Sequence, residues 1–281
     1  MKLFGVVGFP IGHSSSPAMM NAAFREQGED AVYVPFAVKP EQFEQAFNGL
    51  AALGAVGVNV TIPHKVSAFN WVDQRTPEAT SVGAVNTIRF SDDGAIGHNT
   101  DVSGWWRSVA DHVPTGNPTI EIVGAGGAAM AVLAAISANR PNASVGVIAR
   151  REEAVQALQH RFIDTIAIDF VPWDVRNEAL ANANVVIQTT PIGMWPRVDD
   201  SPVTDAGVFS PGQVVQDIIY RPRVTNFAKL AMDGGATVVD GLSMLVYQGV
   251  DAYEWWLGKK APVESMFRAV EEHLGTERRE S

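Results

Sequence analysis

The chain has 281 residues, enough for one large or two medium domains, and its 46% hydrophobic and 19% charged residues allow a sizeable core. Its net charge of −10, from 21 basic and 31 acidic residues, argues against general binding of nucleic acid or anionic membranes. With no cysteine, the chain has no disulfides, no thiolate zinc sites and no cysteine nucleophile. The first hundred residues alternate short apolar runs with helical stretches. Residues 3–7, 31–36 and 56–62 read as strands, the last rich in β-branched residues. Between them, 17–27 and 40–53 carry helical periodicity, each opened by a proline suited to a first helical turn. A short stretch at 95–96 then leads to Asp101, and a helix-like run begins at Ser103.

The polar, turn-rich segment Pro114-Thr-Gly-Asn-Pro118 precedes a second strand–helix series. Its strands are expected at 119–123, 144–149, 185–189, 214–219 and 237–240, with a helical run at 128–138. Residues 242–257 and 262–274 read as helices, and 276–281 are expected to fray. The alternation predicts an α/β fold of two α/β domains, the first with a mainly parallel sheet. The opening Met1-Lys-Leu-Phe-Gly-Val lacks a signal peptide's apolar region, and no apolar run approaches the roughly 18 residues of a membrane span. A cytoplasmic protein without membrane or nucleic-acid partners is expected.

Two strand ends carry the chemistry. In Asn59-Val-Thr-Ile-Pro-His-Lys65 the proline ends a strand and Lys65 begins the next helix. In Gly97-His-Asn-Thr-Asp101 an acid likewise follows a short strand. A lone lysine after a strand is ordinarily a solvated charge. Here the surrounding Asn and Thr residues need partners if buried, which a hydroxylated ligand could supply. Lys65 and Asp101 are therefore a candidate proton-transfer couple.

The segment Thr119-Ile-Glu-Ile-Val-Gly124-Ala125-Gly126-Gly127-Ala128-Ala129 reads as a strand, a glycine turn and a helix start. Glycines there bring backbone N–H groups close to a pyrophosphate at the helix N-terminus. Ala129 stands at the third-glycine position, and a strand follows about 20 residues on. At that strand's end an NAD site commonly places an acid for the ribose 2′-hydroxyl. The chain instead has Ala149-Arg150-Arg151, and a guanidinium fork suits a 2′-phosphate. The other reading is a pair of solvated arginines opening a helix. The six histidines show no metal-ligand spacing, so no metal is expected.

Several of these strings resemble one family. Asn-Val-Thr-Ile-Pro-His-Lys, Gly83-Ala-Val-Asn-Thr87 and Gly-His-Asn-Thr-Asp are similar to signature stretches of the shikimate dehydrogenases. So are Gly8-Phe-Pro-Ile-Gly-His-Ser-Ser-Ser-Pro17, the glycine loop and Asp240-Gly-Leu-Ser-Met-Leu-Val-Tyr-Gln248. The resemblance spans nearly the whole chain in the family's order. It implies a substrate domain of residues 1–103 plus 245–281, an NADP-binding Rossmann-like domain of 104–244, and an active site in the cleft between them.

The resemblance also implies roles. Ser14, Ser16, Thr61, Asn86 and Gln248 would surround the hydroxyls and carboxylate of a cyclohexene acid, with Tyr220 nearby. Gly124 to Ala128, Arg150 and Arg151 would hold the cofactor, and Ile218 and Gly241 would face its nicotinamide. Several have a plainer reading: a helix cap for the serines, a turn for Asn86 and Gly241, a core position for Ile218. Gln188 replaces the family's usual Asn, and Ala149 and Arg151 depart from its Asn-Arg-Thr pattern. The implied activity is reversible NADPH-dependent reduction of 3-dehydroshikimate to shikimate, by a monomer or homodimer. A quinate/shikimate or aminoshikimate dehydrogenase is the near alternative, and a non-catalytic small-acid sensor the distant one.

Overall fold

The computed structural model describes residues 1–275 in full and the backbone of 276–280; the fraying expected at 276–281 lies outside the fully described residues. Contacts divide the chain into two compact units, Met1–Gly104 with Val246–Ser281, and Trp105–Leu245. The first unit contains β1 (Lys2–Gly8), α1 (Ser16–Glu26), β2 (Ala31–Ala37), α2 (Phe43–Ala52), β3 (Ala55–Val60), α3 (Lys65–Trp71), β4 (Gln74–Arg75), α4 (Pro77–Val82), β5 (Thr87–Ser91) and β6 (Gly94–His98). Helix α5 (Thr100–Val109) runs from it into the second unit. There follow β7 (Thr119–Val123), α6 (Gly127–Asn139), β8 (Ser144–Ala149), α7 (Glu152–Arg161), β9 (Ile168–Pro172), α8 (Arg176–Asn182), β10 (Val185–Gln188), β11 (Val214–Asp217), α9 (Asn226–Asp233) and β12 (Thr237–Val239). Helix α10 (Gly241–Leu257) returns the chain to the first unit, which α11 (Val263–Glu280) completes.

The first sheet has the order β2-β1-β3-β5-β6-β4. Its β1–β2, β1–β3 and β4–β6 pairings are parallel, whereas β3–β5 and β5–β6 are antiparallel. Strands β5 and β6 form an antiparallel hairpin at one side of the sheet, with burial alternating along β6, which the strand–helix alternation did not reveal. The core on one face gathers Phe43, Phe47, Val58, Val60 and Ile88. The returning helix α10 packs on the other face, where a Cβ on Gly57 would meet the Trp256 ring: the indole donates to Ile88 O at 2.9 Å, and its ring lies 5.1 Å from that of Phe4.

The second sheet is wholly parallel, with the order β12-β11-β10-β7-β8-β9. Its strands are short valine- and isoleucine-rich runs covered on both faces, as parallel strands require. The order turns at β7, with β8 on one side and β10 on the other, so the glycine turn after β7 opens at a topological switch point. Strand β9 was not evident in the sequence; its proline-terminated run lies at the sheet edge.

Three of the boundaries that differ from expectation bear on the strand ends singled out above. Strand β3 ends at Val60, because Thr61 to His64 form a turn closed by His64 N–H to Thr61 O at 2.9 Å. Strand β11 ends at Asp217, whose carboxylate takes the Ile219 N–H at 3.0 Å. Asp101 lies inside the first turn of α5 rather than ahead of it, because Asn99 Oδ1 accepts the Asp101 N–H at 3.1 Å. This local acceptor starts the helix before the apolar periodicity shows it.

Candidate active site

Lys65 opens α3 directly after the turn that ends β3. Its carbonyl receives the Val85 N–H at 3.0 Å, which ties α3 to the stretch 83–87. Its ammonium reaches Asp101 Oδ2 at 2.7 Å, with the lysine side chain 32% and the aspartate 17% exposed. Asn99 donates to Ala84 O at 2.9 Å and accepts from Asp101 N–H, so the same stretch fixes both ends of the pair. An acid in the first turn also meets the positive end of the helix dipole. A short, half-screened ion pair of this kind offers an oriented proton donor to anything placed beside the ammonium.

Behind the pair runs a chain of buried polar side chains. Asn86 Oδ1 accepts the Thr100 N–H at 2.8 Å and the Thr87 hydroxyl at 2.9 Å, while its amide donates to Thr100 Oγ1 at 3.1 Å. Asn59 donates to Thr87 Oγ1 at 3.0 Å and accepts from the Tyr33 hydroxyl at 2.7 Å. The expectation that a ligand supplies the partners of the buried Asn and Thr residues is therefore corrected for Asn59, Thr87 and Thr100, which find their partners within this network. Register explains it, since β3 and β5 pair Asn59 with Thr87 across the sheet. Asn86 is only 3% exposed, yet its amide has a second N–H beyond the one given to Thr100.

Ser14 is half-buried and its Oγ accepts the Ser16 N–H at 3.3 Å, so it supports the start of α1 from outside the helix. The cap position belongs to Ser15, which makes no side-chain cap bond; its buried Oγ has no partner among the described residues. Ser16 is buried and lies beside the Tyr33 phenol, whose titration burial pushes well above the usual range while the Ser16 hydroxyl tempers the shift. Thr61 is half-buried in the turn after β3. Gln248 lies on α10 where that helix meets α5: a Cβ on Gly104 would stand 2.6 Å from Gln248 N. All of these belong to the first unit, together with Lys65, Asp101 and Asn86. Tyr33, Asn59, Thr87 and Thr100 were not singled out from sequence as site residues.

The second unit holds the glycine turn. Gly124 has φ +107°, a conformation that favours glycine, and a Cβ there would meet Thr190 Cγ2 at 2.7 Å. Gly126 caps α6 without a side chain, and a Cβ on Gly126 or Gly127 would enter open space. The loop and its free first-turn N–H groups therefore form an uncluttered cradle into which a pyrophosphate fits, with Ala125 and Ala128 adding no bulk. The neighbouring loop is shaped by Gln188, whose amide donates to Thr190 O and Ile192 O at 3.0 and 3.1 Å and accepts from Thr190 N–H.

Ile218 and Gly241 are brought together, since a Cβ on Gly241 would lie 2.3 Å from Ile218 O. Only glycine lets α10 start against that strand end. Tyr220 follows, half-buried. Asp217 anchors the segment through Ile219 N–H and the Thr225 hydroxyl, and burial pushes its carboxyl up to about 6. Arg150 and Arg151 are exposed just past β8, with buried Ala149 before them. The end of β8 therefore presents cations and no acid, which fits a 2′-phosphorylated dinucleotide rather than a free ribose diol.

Profiles for the shikimate dehydrogenase substrate binding domain and the shikimate 5'-dehydrogenase C-terminal domain match residues 6–88 and 241–271. The chain is 38% identical to the shikimate dehydrogenase (NADP(+)) of Methanothermobacter thermautotrophicus over 96% of each protein. The chain belongs to the shikimate dehydrogenase family. A crystal structure of a shikimate dehydrogenase in complex with NADP+ superimposes with a TM-score of 0.91 at 36% identity, covering 98% of this chain and 96% of that one. The family is wider than one substrate: the quinate dehydrogenase of Corynebacterium glutamicum in complex with NAD gives 0.87 at 28% identity, over 96% and 99% of the two chains.

Proposed function

We propose that the chain catalyses the reversible NADPH-dependent reduction of 3-dehydroshikimate to shikimate, a step toward chorismate and the aromatic amino acids. The observation that carries the reading is the Lys65–Asp101 contact of 2.7 Å, formed by two family signature stretches. Its setting is an Asn/Thr network that leaves few free polar atoms. Bound NADPH would supply the hydride to the ring carbonyl carbon. Negative charge then grows on the carbonyl oxygen, and the Lys65 ammonium stabilises it and delivers the proton. Asp101 keeps the lysine charged and oriented and accepts a hydrogen bond from a ring hydroxyl. In the oxidative direction the same pair takes the proton back.

Ground-state recognition is assigned to Ser14, Ser16, Thr61, Asn86, Tyr220 and Gln248, whose hydroxyls and amides suit a polyhydroxylated acid. Gly124 to Ala128 would hold the pyrophosphate, Arg150 and Arg151 the 2′-phosphate, and Ile218 with Gly241 the nicotinamide side. The reading includes a cytoplasmic enzyme acting as a monomer or homodimer. A non-catalytic sensor would have no use for a paired lysine and aspartate. Quinate oxidation with NAD is the second reading, favoured by the loss of the family's Asn at Ala149. Measuring kcat/KM for shikimate and quinate with each cofactor decides: shikimate with NADP should win. Preference for quinate with NAD would overturn the proposal, as would shikimate binding without turnover.

A further inference from the structure

Strands β8 and β9 run in parallel with Ala149 opposite Pro172, so the residues one step beyond, Arg150 and Trp173, leave the sheet side by side. The Arg150 guanidinium carbon lies over the Trp173 ring at 5.1 Å from its centroid. Among the described residues no carboxylate pairs with Arg150, so its N–H edges are open to a ligand. Trp173 is itself fixed. It packs half-buried against the core cluster that contains Val123, Ile148 and Leu180. A second cation, Arg176, lies 4.9 Å from the same indole. Arg176 is locked by Nε to Pro202 O at 2.7 Å and Nη1 to Trp173 O at 2.9 Å.

We propose that Trp173 is a positioning residue for cofactor selectivity: its indole holds the Arg150 guanidinium over its face at the end of β8, ready for the 2′-phosphate of NADP. The inference rests on the NADP reading above. Buried Ala149 cannot hydrogen-bond a phosphate, so discrimination at this strand end falls on arginine alone. A free arginine side chain loses much rotamer freedom when it grips a ligand. Stacking on a rigid aromatic face removes part of that freedom beforehand, and preorganisation of this kind appears as affinity. The contribution concerns only ligands that carry the 2′-phosphate, because an unphosphorylated ribose leaves the guanidinium without its anion.

Calorimetric dissociation constants for NADP+, NAD+ and 2′,5′-ADP test this in the wild type, Trp173→Ala, Trp173→Phe, Arg150→Ala and the double Ala variant. Trp173→Ala should weaken NADP+ and 2′,5′-ADP roughly fivefold, the scale of an exposed cation–π contact, and leave NAD+ unchanged. Trp173→Phe should restore most of the loss, and in the Arg150→Ala background Trp173→Ala should add nothing. Equal weakening of NADP+ and NAD+, or a Trp173 effect that persists without Arg150, would overturn the inference. A wild type that prefers NAD+ would remove the cofactor reading itself. Strong NADP+ preference left untouched by Trp173→Ala would sink the positioning role alone.

Discussion

Lys65 Nζ and Asp101 Oδ2 stand 2.7 Å apart although 36 residues separate them in the chain. Two neighbouring features of the first sheet create the meeting. The turn after β3 delivers the lysine, and the Asn99-capped start of α5 delivers the aspartate. Because the ammonium acts on charge that develops during hydride transfer, Lys65→Ala should lower kcat by at least the ~10²-fold typical of a positioned acid–base group. The KM for shikimate should change little, which marks an interaction made in the transition state. A variant that kept kcat and lost only affinity would make Lys65 a binding residue.

Asp101→Asn should behave differently. The amide is nearly isosteric but carries no charge, so it neither holds the ammonium nor accepts a hydroxyl hydrogen bond as strongly. Steady-state kinetics should show a lower kcat and a higher KM together, since Asp101 serves the lysine and the substrate at once. An unchanged KM would confine Asp101 to the lysine.

Most strands and helices of both units follow from apolar alternation and proline or glycine punctuation. What the alternation missed depends on pairing between distant segments. The β5–β6 hairpin is short, and its antiparallel fit onto β3 is a tertiary fact. The same register makes Asn59 and Thr87 partners, which no local pattern announces; in sequence each looked as free for a ligand as Asn86. Trp173 was invisible for a similar reason, because its place beside Arg150 follows from β9, an edge strand too plain to recognise. Lys65, Asp101 and the glycine turn were legible because each marks the end of a strongly patterned strand. Geometry adds to them the residues that hold them in place.

Tyr33→Phe probes that support. The phenol donates to Asn59 Oδ1 at 2.7 Å in a fully buried setting, so the variant leaves a buried acceptor unpaired. A loss of about 1–3 kcal/mol in chemical denaturation is expected. The KM for shikimate should rise as well, because Asn59 supports Thr87 and through it Asn86. Unaltered stability would mean that the Asn59 carbonyl finds another donor.

The last prediction concerns Glu121, in the middle of the second sheet. Its neighbours in register across β8 and β9 are Gly146 and Asp169. The carboxyl fills the space that a side chain on Gly146 would take, and Glu121 Oε2 has no hydrogen-bond partner among the described residues. Burial, with the nearby Asp169 charge adding to it, pushes the carboxyl from 4.5 up to about 7. The folded protein therefore holds this proton more tightly than the unfolded chain. Its stabilising contribution is complete below about pH 4.5 and is lost as pH rises through about 7. Glu121→Gln keeps the shape without the charge. At pH 8 it should raise stability by about 1–3 kcal/mol, and it should flatten the decline that the wild type shows between pH 5 and 8. Denaturant titrations of both proteins across that range measure it. A wild-type stability that rises with pH there, or a variant that follows the same curve, would show that Glu121 is charged at little cost.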